Sequence, residues 1–449
     1  MARPGPLGLL LALACAVLAP AADELPRGRV IDKIDCRKTP DQGYALYLPA
    51  GYDAARRWPV LLCFDPGARG RVPVERFSAA AEKFGWVVAG SLNSRNGPWP
   101  ANAAAITAMV QDLAARLALD DRRVYAAGLS GGARVACQLA AGGQLVRGVI
   151  ACSAGFPGSQ VPDEVPFVFF GTTGLEDFNY NELRAVDRAL DGRKSPHRVV
   201  VFAGGHEWLP APLAEEAIAW LELQAIRAGT RPRDDAFVAA QFAGRRADVP
   251  AQPVEENFRA LKSLAADFKG LADTGELEKQ VAALAASRAV RAALKAERAL
   301  GEREDELASE LFRLADDESL KAMQKEAAAL RGQADAPADS PGRRMARRVI
   351  AGIGIGGRES VRALLDQREF GAAAARLELI AAVRPDRAQT FFDLARARAL
   401  AGDGKRALAA LQQAVALGFK DGARLAGEPA FERLRHDPKF QELAAATKP

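Results

Sequence analysis

The chain has 449 residues, a hydrophobic fraction of 49% and a formal net charge of +5. Lysine and arginine (61) nearly balance aspartate and glutamate (56), which gives no reason to expect nucleic-acid binding. The three histidines and the cysteines show no spacing typical of a zinc site, so no metal centre is expected. A globular protein of this length has roughly two or three domains.

Residues 1–22 have the pattern of a secretory signal peptide. Arg3 precedes an apolar stretch at 7–18, and Ala-Pro-Ala follows at 19–21, as at a cleavage site. The apolar stretch is too short to cross a bilayer, and no later stretch is long and apolar enough to do so. We therefore expect an exported protein, periplasmic or secreted, with no membrane span. Cys15 has poor surroundings for lipidation, and we expect no lipid anchor.

The part of the chain at 30–228 alternates predicted strands with predicted helices. This alternation is typical of a mostly parallel sheet with helices on both faces, and the first two strands are expected to form an antiparallel hairpin at one edge. Strands are predicted at 30–36, 44–48, 60–64, 86–89, 124–127, 149–152, 165–170 and 199–202, and helices at 74–84, 101–117, 133–141, 178–190 and 213–226.

Two loops that follow early strands are candidates for a ligand pocket. After the strand at 60–64 comes Asp-Pro-Gly-Ala, in which proline has no N–H to donate, so Gly67 or Ala68 is the candidate donor to a ligand. An ordinary tight turn is the alternative interpretation. The loop at 91–99 ends in Trp99, a candidate substrate contact whose alternative role is packing over the base of the loop.

Ser130 is the candidate nucleophile. It lies in Gly-x-Ser-x-Gly at 128–132, between an apolar strand and a helix, which is the setting of a nucleophile elbow. The turn is expected to hold the serine in a strained conformation, with flanking glycines where side chains would collide with neighbouring elements. The backbone N–H of Gly131 is then the predicted first oxyanion donor, with Gly67 or Ala68 as the second.

Asp177 is the candidate acid. It follows the strand at 165–170, on the loop Gly-Thr-Thr-Gly-Leu-Glu-Asp. A carboxylate here could hold the tautomer of a catalytic histidine and stabilise its cation. Glu176 occupies the same loop and is the rival acid, and Asp177 could also cap the helix that follows.

His206 is the candidate base because it follows the carboxyl end of the predicted strand at 199–202, where a parallel sheet gathers its ligand-binding loops. His197 lies at the start of that strand, and His436 lies far away in the C-terminal helices. The chain order Ser130, Asp177, His206 is the order found in α/β-hydrolases. The alternative for His206 is a solvated loop histidine.

The Phe-Asp-Pro-Gly sequence at 64–67 and the Gly-Gly-His-Glu-Trp sequence at 204–208 carry a family resemblance. With them, residues 29–228 resemble an α/β-hydrolase domain of the bacterial polyhydroxyalkanoate depolymerase, feruloyl esterase and dienelactone hydrolase group. The resemblance implies an eight-stranded sheet and says little about the substrate. Trp208, beside the candidate histidine, is a second candidate substrate contact, with packing as its alternative. The loop at 65–68 departs from the His-Gly loop of many esterases.

The remainder of the chain is predicted to be helical. We divide it into a hydrolase domain at 23–228, a linker at 229–254, roughly three or four helices at 255–331, a second linker at 332–343 and helical repeats at 344–449. A repeat with an offset of 34 (404 minus 370) resembles tetratricopeptide helix pairs. The matched positions are Phe370, Ala373, Leu377, Ala381 and Pro385, and Gly404, Ala407, Leu411, Val415 and Phe419.

About two such repeats are fewer than usually form a stable stack, so we expect them to dock onto the middle helices or the hydrolase domain. Their role is either to bind a protein or peptide partner or to brace the enzyme.

The function predicted from these patterns is that of an exported serine hydrolase that cleaves a carboxylic ester, either small or polymer-linked, without a cofactor. Two alternatives stay open. The same three residues could open an amide, which would make the protein a serine peptidase. The helical repeats could instead be the working part of a binding module carried on a decayed hydrolase.

Overall fold

The computed structural model describes residues 25–143, 145–193, 195–317 and 319–447. The predicted signal peptide at 1–22 lies outside this range. The chain forms two compact units, Met1–Lys295 and Ala296–Pro449, each taken by itself below. Among the residues described, none of the helices has both the length and the apolar character that crossing a bilayer requires.

The first unit is built on an eight-stranded sheet in the order β1-β2-β4-β3-β5-β6-β7-β8. Strand β2 pairs antiparallel with β1 and β4, and the other neighbours are parallel. This confirms the predicted α/β-hydrolase sheet with an antiparallel hairpin at its edge. The strands are β1 Val30–Asp35, β2 Gly43–Tyr47, β3 Trp58–Phe64, β4 Val87–Ser91, β5 Leu119–Leu129, β6 Val146–Cys152, β7 Val168–Gly174 and β8 His197–Phe202.

Helices cover both faces of this sheet, which explains why a central strand such as β3 is apolar along its whole length. In β3, for example, Leu62 and Phe64 join the apolar cluster on one face, whereas Leu61 and Cys63 join the cluster on the other. The first face packs against α2, α3 and α4, and the second against α1 and α5. The helices are α1 Arg71–Phe84, α2 Trp99–Arg116, α3 Gly131–Ala141, α4 Tyr180–Arg193 and α5 Ala211–Arg227.

The predicted linker at 229–254 is wrong over half of its length, because it contains helix α6, Asp235–Ala247. The Asp234 side chain caps this helix by accepting the N–H of Phe237 at 2.9 Å. Val238 is its fully buried residue, and alanines occupy most of its exposed positions. A helix with so narrow an apolar stripe has little periodic signal in its sequence.

Helices α7, Val254–Phe268, and α8, Gly275–Ala286, complete the first unit. Asp267 of α7 forms polar contacts that link these helices to α5 and α6. Its carboxylate accepts the indole N–H of Trp220 at 2.7 Å and a guanidinium N–H of Arg245 at 2.6 Å. The helices predicted at 255–331 are therefore shared between the two units, since α7 and α8 pack onto α5 and α6.

The second unit is helical throughout the residues described. The division at 295/296 falls within helix α9, Arg288–Asp316, and helix α10 follows. Only residues 335–340 separate α10 from α11, so the second predicted linker at 332–343 is shorter than expected. The helices after α9 are α10 Leu320–Ala334, α11 Pro341–Asp366, α12 Phe370–Val383, α13 Ala388–Leu400, α14 Gly404–Ala416, α15 Gly422–Gly427 and α16 Pro438–Ala446.

The predicted repeat coincides with the starts of helices. Helices α12 and α14 begin at Phe370 and Gly404, and α13 and α15 begin at Ala388 and Gly422, an offset of 34 (422 minus 388) in both cases. Helix α15 has only 6 residues where α13 has 13, so the second pair is incomplete. One apolar cluster extends from α9 and α10 to α16, which agrees with the expected docking of the repeats onto the middle helices.

A buried ion pair joins α9 to α11. Arg348 and Glu304 are only 5% and 7% exposed, and their charged groups lie 2.6 Å apart. Replacing Arg348 with Met leaves the Glu304 carboxylate buried without its cation, and we expect the free energy of unfolding to fall by about 3–5 kcal/mol. Urea denaturation followed by the helical circular dichroism signal measures this change.

The matched control is Arg313→Met, which breaks an exposed pair with Glu310, 58% and 45% exposed. This change should cost less than about 1 kcal/mol. Equal losses in the two variants would contradict the role given to the buried pair.

Cys36, Cys63, Cys137 and Cys152 are buried and not disulfide-bonded. Burial raises the pKa of all four thiols, to about 11 for Cys36 and Cys152. They therefore act as small apolar side chains of the core.

Candidate active site

Ser130, Asp177 and His206 lie on loops that leave one edge of the sheet. Ser130 directly follows β5, Asp177 follows β7, and His206 follows β8. Strands β5 to β8 are adjacent and parallel, so their carboxyl ends share that edge. The structure thus brings the three predicted residues, distant along the chain, to the same side of the sheet.

Ser130 occupies a sharp turn between β5 and α3. Its backbone has φ of 54° and ψ of −122°, a conformation that L-residues rarely adopt. The Ser130 N–H donates to the Cys152 carbonyl oxygen at 2.8 Å, which fixes the turn to β6. Strain of this kind at a partly exposed serine between a strand and a helix is the geometry of a nucleophile elbow.

Two glycines allow the elbow to form. A side-chain carbon at Gly128 would lie 2.1 Å from the Gly132 carbonyl oxygen, and one at Gly132 would lie 2.0 Å from the Phe64 carbonyl oxygen. Both distances are far shorter than any real contact, so a larger residue would push the backbone of α3 away from β3 and β5. These are the collisions expected from the Gly-x-Ser-x-Gly sequence.

His206 is hydrogen-bonded to Asp177. Its Nδ1 lies 2.8 Å from Asp177 Oδ1, and Asp177 is fully buried. Because a carboxylate only accepts, the Nδ1–H donates, and Nε2 keeps the lone pair that can take a proton. Asp177 Oδ1 also accepts the Asn179 N–H at 2.9 Å, whereas its Oδ2 has no partner within the described part of the chain.

The loop that carries Asp177 explains why this residue, rather than Glu176, reaches the histidine. The Glu176 N–H donates to the Gly204 carbonyl oxygen at 2.9 Å, and the Tyr180 N–H donates to the Asp177 carbonyl oxygen at 2.9 Å as α4 begins. Asp177 therefore serves both the start of α4 and the histidine. Phe178 stacks on the His206 ring, with centroids 4.1 Å apart, a contact that the sequence pattern does not reveal although Phe178 adjoins the predicted acid.

The other histidines lie elsewhere. His197 is the first residue of β8, at the opposite end of that strand from His206, and its ring contacts the Ser195 carbonyl oxygen and Asp187. His436 belongs to the second unit. Across the residues that the structure describes, no group of three or more His, Cys, Asp or Glu side chains could hold a metal ion.

The predicted second oxyanion donors need correction. The Gly67 N–H donates to Asp65 Oδ1 at 2.9 Å, and the Ala68 N–H donates to the Asp65 carbonyl oxygen at 3.0 Å. Both N–H groups are therefore used inside their own loop. Gly131 differs because it is the first residue of α3, where backbone N–H groups have no acceptor within the helix.

Asp65 organises the loop after β3. Its fully buried carboxylate accepts the Gly67 N–H, two guanidinium N–H groups of Arg69 at 2.8 and 3.0 Å, and the indole N–H of Trp208 at 3.0 Å. Burial raises the pKa of this carboxyl, but the hydrogen bonds from Arg69, Trp208 and Gly67 outweigh it, so the pKa lies below its ordinary value. The sequence signal was a charged residue directly after a buried strand.

The structure corrects the predicted role of Trp208. Its side chain is 5% exposed, belongs to the apolar core and packs edge-on against Phe77 at 6.3 Å. Packing, the alternative interpretation, therefore accounts for Trp208. Trp99 is the first residue of α2, remains partly exposed and packs against the other apolar cluster, so its contact with substrate stays a prediction.

The loop at 91–99 lies beside the elbow. Asn96 is exposed, and its backbone N–H donates to the Pro66 carbonyl oxygen at 2.9 Å. Its carboxamide lies against Gly131, because a side-chain carbon at Gly131 would be 1.8 Å from Asn96 Oδ1. The sequence pattern indicates that this loop lines the pocket but does not single out Asn96, since only the fold brings it to the elbow.

Comparisons with known proteins give structural neighbours only. No family model and no curated protein matches the chain. A ferulic acid esterase is 15% identical with a TM-score of 0.36, covering 43% of this chain and 97% of its own. An esterase of the archaeon Pyrobaculum calidifontis is 16% identical with a TM-score of 0.37 (45% and 87% covered). An S-formylglutathione hydrolase of Staphylococcus aureus is 14% identical with a TM-score of 0.35 (46% and 99% covered).

Proposed function

We propose that the protein is an exported serine hydrolase that cleaves carboxylic esters through an acyl-enzyme. The observation that carries the proposal is the hydrogen bond between His206 and buried Asp177, at the sheet edge that also holds the strained Ser130. The three side chains supply a hydroxyl that attacks, an imidazole that takes its proton, and a carboxylate that orients the imidazole. No cofactor is needed.

The chemistry follows from the tautomer of His206. With its Nδ1–H donated to Asp177, the ring accepts the Ser130 proton at Nε2 while Ser130 Oγ forms a bond to the acyl carbon. The imidazolium then protonates the departing alcohol. A water molecule, activated by the same Nε2, attacks the ester of Ser130, releases the acid and returns the proton to the serine.

The substrate class and the location are the finer parts of the proposal. The ester is either small or polymer-linked, and the signal-like residues 1–22 support export. Rates on a p-nitrophenyl ester and on the p-nitroanilide of the same acyl group separate an esterase from a peptidase. Faster hydrolysis of the anilide than of the ester would indicate a peptidase instead of an esterase.

A fluorophosphonate probe tests the proposed class directly. We expect it to label the wild-type protein, and labelling should be lost in Ser130→Ala because an activated serine is what the probe modifies. Ser153→Ala is a matched control, since Ser153 follows the neighbouring strand and also has a positive φ of 58°. Ser153 is buried, and its Oγ donates to the Glu207 carbonyl oxygen at 3.2 Å.

Labelling should therefore persist in Ser153→Ala. A folded wild-type protein that takes no label, or equal labelling of Ser130→Ala, would count against the proposal and favour a binding module on an inactive hydrolase.

A further inference from the structure

The oxyanion site of the proposed hydrolase needs a second hydrogen-bond donor besides Gly131. The assignment of that donor rests on the proposed function. Attack by Ser130 places negative charge on the acyl oxygen, and such charge is usually stabilised by two or more N–H or O–H donors held in place beforehand. Gly131 at the start of α3 offers one backbone N–H. Gly67 and Ala68 use theirs within their own loop.

Asn96 lies next to Gly131, whose backbone N–H is the one donor assigned so far. Its carboxamide lies against Gly131, because a carbon added at the glycine would be 1.8 Å from Oδ1, 2.9 Å from Cγ and 3.5 Å from Nδ2. The residue is also exposed, so a ligand over Ser130 can approach it. A second polar group with hydrogen-bonding capacity thus borders the elbow on the side of Gly131.

The backbone that carries Asn96 is fixed on both sides. Its own N–H donates to the Pro66 carbonyl oxygen at 2.9 Å, and the preceding residue, Arg95, forms an isolated β-bridge with Gly67. Asn102, buried in α2, accepts the Arg95 N–H at 3.0 Å and the Ser94 hydroxyl at 2.8 Å. Such ties hold the backbone that carries the carboxamide in position before the substrate arrives, which favours a role as an oxyanion donor.

We propose that the Asn96 carboxamide is the second oxyanion donor, acting together with the N–H of Gly131. A half-turn of the carboxamide exchanges its oxygen and nitrogen, which have nearly the same size, and directs an Nδ2–H to the position beside Gly131. No bond is made or broken by Asn96. It stabilises the charge on the acyl oxygen while the tetrahedral intermediate exists.

Asn96→Asp and Asn96→Ala test the assignment by kinetics on a p-nitrophenyl ester. Aspartate keeps the shape of asparagine but has no N–H to donate, and we expect both variants to lower kcat about 100- to 1000-fold, with KM changed by less than about three-fold. The matched control is Asn257→Ala. Asn257 lies on α7 and donates its carboxamide N–H to the Pro250 carbonyl oxygen, so this variant should keep kcat and KM near the wild-type values.

A transition-state analogue distinguishes donation from a structural role. A trifluoromethyl ketone that adds to Ser130 creates the oxyanion, so its affinity should fall in parallel with kcat/KM in the two Asn96 variants. The affinity of the corresponding methyl ketone, which stays uncharged and forms no oxyanion, should be nearly unchanged.

The inference is overturned if Asn96→Ala keeps kcat within about three-fold of wild type, since loss of a true donor costs far more. It is also overturned if the trifluoromethyl ketone and the uncharged methyl ketone lose affinity equally. Fluorophosphonate labelling of Ser130 in the wild type separates these results from a failure of the proposed function. A wild type that takes no label would overturn the function, and this inference with it.

Discussion

Replacing Ser130 with alanine is expected to lower kcat on short p-nitrophenyl esters by on the order of a million-fold. In the proposed mechanism the Ser130 oxygen forms the acyl-enzyme, and alanine has no atom to take its place. Release of p-nitrophenol, followed by absorbance, measures the effect.

The fold should survive this change. Alanine and serine both carry a Cβ, so the strain at φ of 54° is the same in the variant, and thermal unfolding should be nearly unchanged. Ser153→Ala, which alters the other strained serine after a neighbouring strand, should retain most of the activity. Near-normal turnover by Ser130→Ala would remove Ser130 from the mechanism.

Asp177→Asn is expected to lower kcat by about 10,000-fold with little change in the fold. An asparagine whose N–H₂ faced His206 would donate to Nδ1, which forces the ring proton onto Nε2. A ring protonated at Nε2 cannot accept the Ser130 proton. The effect is measured on the same p-nitrophenyl esters at neutral pH.

Glu176→Gln is the control for this change, because it removes the neighbouring carboxylate, the rival acid on the same loop. The 2.8 Å contact belongs to Asp177, so the Glu176 variant should keep kcat within about three-fold of wild type. The opposite ranking of the two variants would transfer the role of acid to Glu176.

The parts of the site that could be predicted depend on local sequence. The elbow at Ser130 needs glycines close by, and Asp177 and His206 lie on short loops after apolar strands, so a linear pattern indicates all three. The oxyanion donors depend instead on competition for N–H groups. Asp65 takes the N–H of Gly67 by a side-chain contact that the spacing of residues does not reveal.

In the fold, too, features that depend on local sequence could be predicted, whereas features that depend on contacts between distant residues could not. The sheet was predictable because most of its strands contain a short apolar run followed by turn residues. The boundary at 295/296 was not, since it falls within the continuous helix α9, where composition does not change. The exposed helix α6 was missed because its stability comes from a cap at Asp234 and from contacts of Arg245 with distant Asp267.

The four cysteines of the described core form no disulfide bonds, and this affects the redox conditions under which the protein can be produced. Their sulfurs are shielded from solvent, and for Cys36 and Cys152 a pKa of about 11 leaves almost no reactive thiolate at neutral pH. Folding of this core therefore does not wait for an oxidant. Recombinant protein lacking residues 1–22 should reach the same active state in a reducing bacterial cytoplasm as outside it, and dithiothreitol should leave its activity unchanged.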